Sequence, residues 1–224
     1  MTADDTRTAI LDAAETLLAE VGYAGMSLRA VTQRAKANLA SVNYHFGSKA
    51  ALARAALERR ARPVDAERLR QLDLVEQAHR GGKRPPVRAV VRSFVAPVIE
   101  LSSEFGTSTC SMFCRLIAEQ PPFLDEVLTE KFATIGRRFA EALRRAQPLL
   151  TIADAYWQLH FMVGALTHTM QHVGMWQRVA GPDFSPASTD EIVDRLCAFC
   201  AGGVKAHEPR SPSRRKTRSK ATSR

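Results

Sequence analysis

From Asn38 to Lys49 the chain reads Asn-Leu-Ala-Ser-Val-Asn-Tyr-His-Phe-Gly-Ser-Lys, residue types suited to reading a nucleic acid. A short helix over 39–46 turns Leu39, Val42 and Phe46 to one face and Ala40, Ser41, Asn43 and Tyr44 to the other. An asparagine amide both donates and accepts, which matches an adenine edge, and an alanine methyl packs on the thymine methyl. Acidic residues are absent from Gly22 to Leu57, so this segment supplies no charge of its own to repel phosphate. Other chemistries find less support. There is no Gly-rich phosphate loop, His-Glu-x-x-His string or nucleophile elbow, and the chain is not expected to be an enzyme or to need a cofactor.

The elements that must position this helix can be read from caps and apolar spacing. Ile10, Ala13, Ala14, Leu17, Leu18 and Val21 form one stripe of a helix over 6–21. Gly22 and Gly25 bracket a loop, and Ser27 is placed to cap a second helix over 28–35, with Leu28, Val31 and Ala35 inward. Asn38 caps the third helix. Gly47 ends it, and Ser48 caps a fourth that runs from Lys49 into the upper seventies. Three short helices, the second and third joined by a tight turn, make a helix-turn-helix whose third helix can lie in the major groove.

Beyond this, Gly81 to Pro86 punctuates the chain, and helices are expected over 87–103, 108–118, 122–146, 152–176 and 188–204, with a kink at Pro97. The fold class is therefore all-α: an N-terminal DNA-binding domain over 1–50, a helical body over 51–207, and a basic tail over 208–224 too poor in apolar residues to fold. The formal net charge of +9 gathers at the two ends. Residues 22–62 hold eight Lys or Arg against Glu58 alone, and residues 205–224 hold eight against Glu208 alone. The N-terminus lacks a secretory pattern and no apolar run spans a membrane, so the expected location is the cytoplasm and the four cysteines are expected to be reduced.

The string Leu28-Arg-Ala-Val-Thr-Gln-Arg-Ala35, followed by Asn38 to Lys49 with its Tyr-His-Phe-Gly-Ser-Lys core, resembles the DNA-binding signature of the TetR family of transcriptional regulators. The resemblance covers about residues 6–57. It implies phosphate contacts from Ser27, Arg29, Tyr44 and Lys49, and places Ala40, Ser41, Asn43 and His45 toward base edges; Phe46 is read as packing. One departure stands out: the family usually has glycine in the turn before the recognition helix, where this chain has Lys36. In a left-handed backbone a non-glycine residue there costs about 1 kcal/mol.

Residues 87–204 resemble the ligand-binding half of the fatty-acid-responsive branch, through Phe113-Cys-Arg-Leu-Ile-Ala118, the stretch 132–143 and Tyr156 to Ala165. This implies an apolar effector, a fatty acid or acyl-CoA, walled by Phe94, Val98, Met112, Phe113, Leu116, Phe161 and Met162, with Arg115 or His160 meeting a polar head group. The alternative for each is plain core packing. The resemblance also implies a homodimer through the last two helices, where Gly164, Ala165 and Gly174 allow close approach and Trp157, Met175 and Trp176 supply apolar area. The expected function is a repressor that binds a pseudo-palindromic operator as a dimer and is released by the effector. Two other readings stay open. One is a packaging protein indifferent to DNA sequence; the other is a repressor sensing metal through His168 and His172, or oxidation through Cys110/Cys114 and Cys197/Cys200.

Overall fold

A computed structural model describes residues 2–105, 107–181, 184 and 187–206. Side chains are described for these except 102–105, 107–110, 173, 174 and 177. Helices account for most of this length, and no strand occurs among the described residues. The fold class is all-α, with the helix-turn-helix at the N-terminus.

Helix α1 (Ala3–Gly25) starts three residues before the apolar stripe implies, because Thr2 and Asp5 form a capping box around its first turn. Ile10, Ala13, Ala14 and Leu18 are buried as the spacing predicts, but Val21 is exposed. The expected loop is reduced to a break at Gly22, which has φ 73° and ψ −177° inside otherwise helical backbone. Helices α2 (Leu28–Ala35), α3 (Leu39–Phe46) and α4 (Lys49–Ala78) follow with the boundaries expected of them. Each begins on its predicted cap. Ser27, Asn38 and Ser48 accept hydrogen bonds from the N–H groups of Ala30, Ser41 and Ala51 at 3.1, 2.7 and 3.1 Å.

The body is built from α5 (Val87–Phe105), α6 (Thr107–Glu119), α7 (Pro122–Lys131), α8 (Arg137–Ala146), α9 (Ile152–Ala180) and α10 (Thr189–Lys205). The predicted helix over 122–146 is interrupted by a π-helical turn at Phe132–Gly136. Gly136 permits this turn, since a β-carbon there would lie 2.7 Å from the Phe132 ring. Pro63 in α4 and Pro97 in α5 each lack the N–H that would bond one turn back. No described helix is long and apolar enough to cross a membrane.

Two apolar cores result. The larger joins α5, α8, α9 and α10 around residues such as Phe94, Phe139, Leu159 and Val193. The second surrounds the helix-turn-helix but is not made from it alone. Ile10, Leu18, Val31 and Val42 pack with Leu52 and Leu57 of α4, with Met112 and Leu116 of α6, and with Phe123, Leu124 and Val127 of α7. The DNA-reading helices therefore share a core with the body. An ion-pair staple reinforces the join of α1 to α4: the buried Glu15 carboxylate accepts hydrogen bonds of 2.6 Å from both Arg59 and Arg60, and Arg59 also reaches Asp12.

Candidate DNA interface and effector cavity

The recognition helix α3 stands on Val42, its one fully buried side chain. Ala40 and Asn43 are exposed, Ser41 and His45 are half-buried, and Tyr44 is 84% exposed, so the predicted reading face is open. Leu39 departs from expectation. The stripe placed it inward with Val42 and Phe46, yet at the first residue of a two-turn helix it is 52% exposed. Phe46 is half-buried against the N-terminal core, with the Arg7 guanidinium 5.5 Å from its ring centre.

The turn before α3 holds Lys36 at φ 50° and ψ 37°, a left-handed conformation. Lys36 N–H donates to the Gln33 carbonyl and Ala37 N–H to that of Thr32, the bond pair of a Schellman closure. These bonds hold the turn in shape although its residue is not glycine. Asn38 does double duty at the start of α3, since its Oδ1 also accepts from the Ser41 hydroxyl at 2.9 Å. That bond orients Ser41 and leaves its oxygen lone pairs available to an outside donor.

Lys49 sits at the first turn of α4 with its ammonium 4.5 Å from the centre of the Tyr23 ring. Tyr23 in turn packs edge-on against Phe123 of α7 at 5.4 Å. The charge of the segment is smaller than its composition suggests. Arg34 is bound in a fork by Glu20 at 2.8 and 3.1 Å, Arg54 pairs with Glu58, Glu126 and Glu130, and Arg59 and Arg60 are held by Glu15. Among the described residues, Arg29, Lys36, Lys49 and Arg62 are the basic groups of 22–62 without an ion pair. Three of them, Arg29, Lys36 and Lys49, flank the ends of α2 and α3.

An apolar cavity of about 170 Å³ lies between α4, α5, α6, α7, the π-helical turn and α9. Phe94, Val98, Phe113 and Leu116, four of the residues expected around the effector, line it. The other five residues expected around the effector, the wall residues Met112, Phe161 and Met162 and the head-group candidates Arg115 and His160, are not among its lining residues. Met112 is fully buried in the N-terminal core and Met162 in the body core. Arg115, His160 and Phe161 are exposed. His160 and Phe161 instead join Trp157 in an outward aromatic row on α9, with ring centres 5.7 to 6.1 Å apart.

The polar part of the wall was not foreseen. It consists of Asp65 and Arg68 on α4, Lys131 at the end of α7, and Thr167 on α9. The Arg68 guanidinium lies 4.1 Å from the centre of the Phe94 ring, donates to the Phe94 carbonyl at 2.8 Å and stands 3.6 Å from Asp65. Asp65 also accepts from Lys131. Burial pushes Arg68 down to about 10, against the pull of Asp65, so it is still a cation at neutral pH. The i, i+3 spacing of Asp65 and Arg68 was a signal that these two share a helix face; nothing in the sequence pointed Lys131 at them.

Gly164, also exposed, has open space where a β-carbon would be, and Trp157, His168 and Trp176 are exposed on the same helix. On α10, Phe199 is 72% exposed. Gly174, the third close-approach residue expected of the dimer, lies outside the described side chains. His168 and His172 bring their rings within 4.6 Å, but among the described residues no group of three metal-ligating side chains occurs. Cys114, Cys197 and Cys200 are buried, and Cys110 lies outside the described side chains.

A helix-turn-helix carried on a helical body with an apolar cavity is the architecture of a DNA-binding regulator. Residues 10–56 match the family model described as bacterial regulatory proteins, tetR family, and residues 92–203 match that of the tetracyclin repressor-like C-terminal domain. The chain belongs to the TetR family of transcriptional regulators. Members are in general non-enzymatic DNA-binding proteins that act as dimers and respond to small molecules. Among solved structures, a TetR-like transcriptional regulator from Rhodococcus sp. RHA1 is similar at a TM-score of 0.60 and 19% identity, over 90% of this chain and 97% of that one. GusR of Salmonella enterica is similar at 0.54 and 19%, over 89% and 95%. No curated protein sequence matches it.

Proposed function

We propose that this regulator is a dimeric repressor of a pseudo-palindromic operator, released when a small apolar effector fills the cavity. One observation carries the link between the two sites. Leu57, Leu116, Leu124 and Val127 line the cavity and are also members of the core that supports the DNA-reading helices. An occupant that moves these side chains moves residues on which α1 to α3 rest. Release is then a population shift toward a domain placement that no longer spans two major grooves about 34 Å apart.

Residues 1–50 read DNA in this account. Ser27, Arg29, Tyr44 and Lys49 take phosphates, and Ala40, Ser41, Asn43 and His45 face bases. Residues 51–207 sense the effector and dimerise through α9 and α10, whose exposed Trp157, Phe161 and Phe199 would be covered by the second copy. The tail over 208–224 adds sequence-independent affinity. No catalytic step is required, and the place of action is the cytoplasm, where the operator is. The volume of the cavity, about 170 Å³, favours a compact effector or a short acyl chain.

The test is a titration of the purified protein against DNA from upstream of its own gene and against scrambled DNA, with and without a panel of small carboxylic acids and neutral apolar compounds. Tight binding to the upstream DNA alone, weakened by one compound class, is the expected result. Equal binding to both DNAs overturns the repressor and favours packaging.

A further inference from the structure

The cavity wall is apolar except at one end, and the charges at that end do not balance. Among the described lining residues there are two cations, Arg68 and Lys131, and one carboxylate, Asp65. Their side chains are 14, 26 and 17% exposed, so solvent neutralises this surplus poorly. The Arg68 guanidinium is not collapsed onto Asp65. At 3.6 Å the pair is beyond hydrogen-bond length, and Arg68 is held through its Nε by the Phe94 carbonyl and stacked on the Phe94 ring. Arg68 lines the cavity, and a hydrogen bond made through Nε alone leaves its terminal N–H groups with donor capacity to spare.

We propose that the effector is a small aromatic carboxylate whose carboxyl group is received by Arg68 and Lys131, with Asp65 acting as the resident anion that it displaces or joins. The proposal rests on the cavity being the effector site. Size sets the body of the ligand: an apolar cavity of about 150 Å³ holds one benzene ring, and this one measures about 170 Å³. One ring with its carboxyl group fills it. The wall suits a ring, with Phe94, Phe113 and Phe132 around the space. The charge surplus selects the head group, since a neutral ligand leaves the second cation without a full counter-charge whereas a carboxylate supplies one. The arrangement also gives the ligand leverage. Arg68 and Asp65 lie on α4, which begins at the DNA-binding domain, and Lys131 lies on α7, so a bound carboxylate draws on both helices at once.

The experiment compares benzoate with benzamide, its neutral isostere, by calorimetry on the full-length protein. Benzoate is expected to bind at least about tenfold more tightly, the scale of one charge-assisted hydrogen bond. Lys131→Gln is expected to erase most of that preference. Asp65→Asn, which removes the resident anion, is expected to strengthen benzoate and leave benzamide unchanged. Because the two variants move affinity in opposite directions, a general loss of folding cannot imitate the pattern. Equal binding of benzoate and benzamide overturns the head-group assignment while the cavity stands as an apolar effector site. Binding of neither compound overturns both.

Discussion

The carboxylate of Glu119, the last residue of α6, accepts a 2.9 Å hydrogen bond from the backbone N–H of Ala24 in the final turn of α1. It reaches that N–H over Gly22, where a β-carbon would lie 1.7 Å from Glu119 Oε1. The break in α1 and the end of α6 are thus fitted to each other, one turn of chain before the cap of α2. Helix α6 also lines the cavity through Phe113, Cys114, Leu116 and Ile117, so one helix carries both this contact to α1 and part of the cavity wall.

Gly22→Ala is expected to destabilise the protein by roughly 1 to 3 kcal/mol, since its φ of 73° with ψ near 180° is a glycine conformation and Glu119 must also move. Glu119→Ala is expected to cost roughly 0.5 to 1.5 kcal/mol for the lost hydrogen bond. The double variant should cost less than the sum, because removing Glu119 removes the collision. Urea denaturation of the three variants measures this. Strict additivity would mean that the two positions are not coupled.

On DNA, Lys49→Ala is expected to weaken binding by a similar factor for operator and non-operator sequences and to lower the slope of log K against log salt by about 1. Asn43→Ala is expected to leave the salt slope in place but cost roughly 1 to 3 kcal/mol at one base pair of each half-site. Fluorescence anisotropy over a salt series, with operators varied one base pair at a time, separates the two. Loss of specificity in the Lys49 variant would assign that residue to base reading instead.

Burial pushes the Cys197 thiol up from its ordinary 9.0, and pushes Cys200 up to about 11, with the neighbouring Cys197 adding to the shift. A folded-state value raised above the unfolded one favours the protonated native form. The stabilisation is therefore full below pH 9 and is lost as pH rises toward 11. Iodoacetamide at pH 8 is expected to label neither cysteine of α10 in the native protein and both in urea, as read by peptide mass mapping. Rapid native labelling would restore the thiol-sensing reading of this pair.

Local rules carried well from sequence to structure. Ser27, Asn38 and Ser48 were legible as caps because a cap is made with a backbone N–H three residues on, and nothing distant decides it. Lys36 stood out as a departure from the glycine usual in that turn, but its left-handed backbone was decided by the fold. The reading face of α3 followed from helical periodicity. That periodicity failed at Leu39 and Val21, which lie at the first residue of α3 and just before the break in α1, so each has helical neighbours on one side only.

The amino-acid sequence by itself determined the helices, their caps, the outward face of the recognition helix and the family, all of which rest on neighbours within a turn or on a contiguous motif. Only the tertiary structure decided how much charge the DNA-binding segment keeps, because Arg34, Arg54 and Arg59 find carboxylates 14, 76 and 44 residues away. It also decided which apolar residues are cavity and which are core. Phe113 and Met112 are adjacent in sequence and similar in chemistry, and they part company because successive residues of a helix point about 100° apart, toward different neighbours. The joining of Lys131 to Asp65 and Arg68 across 66 residues has the same origin: it is made by the packing of α7 against α4, which no local pattern encodes.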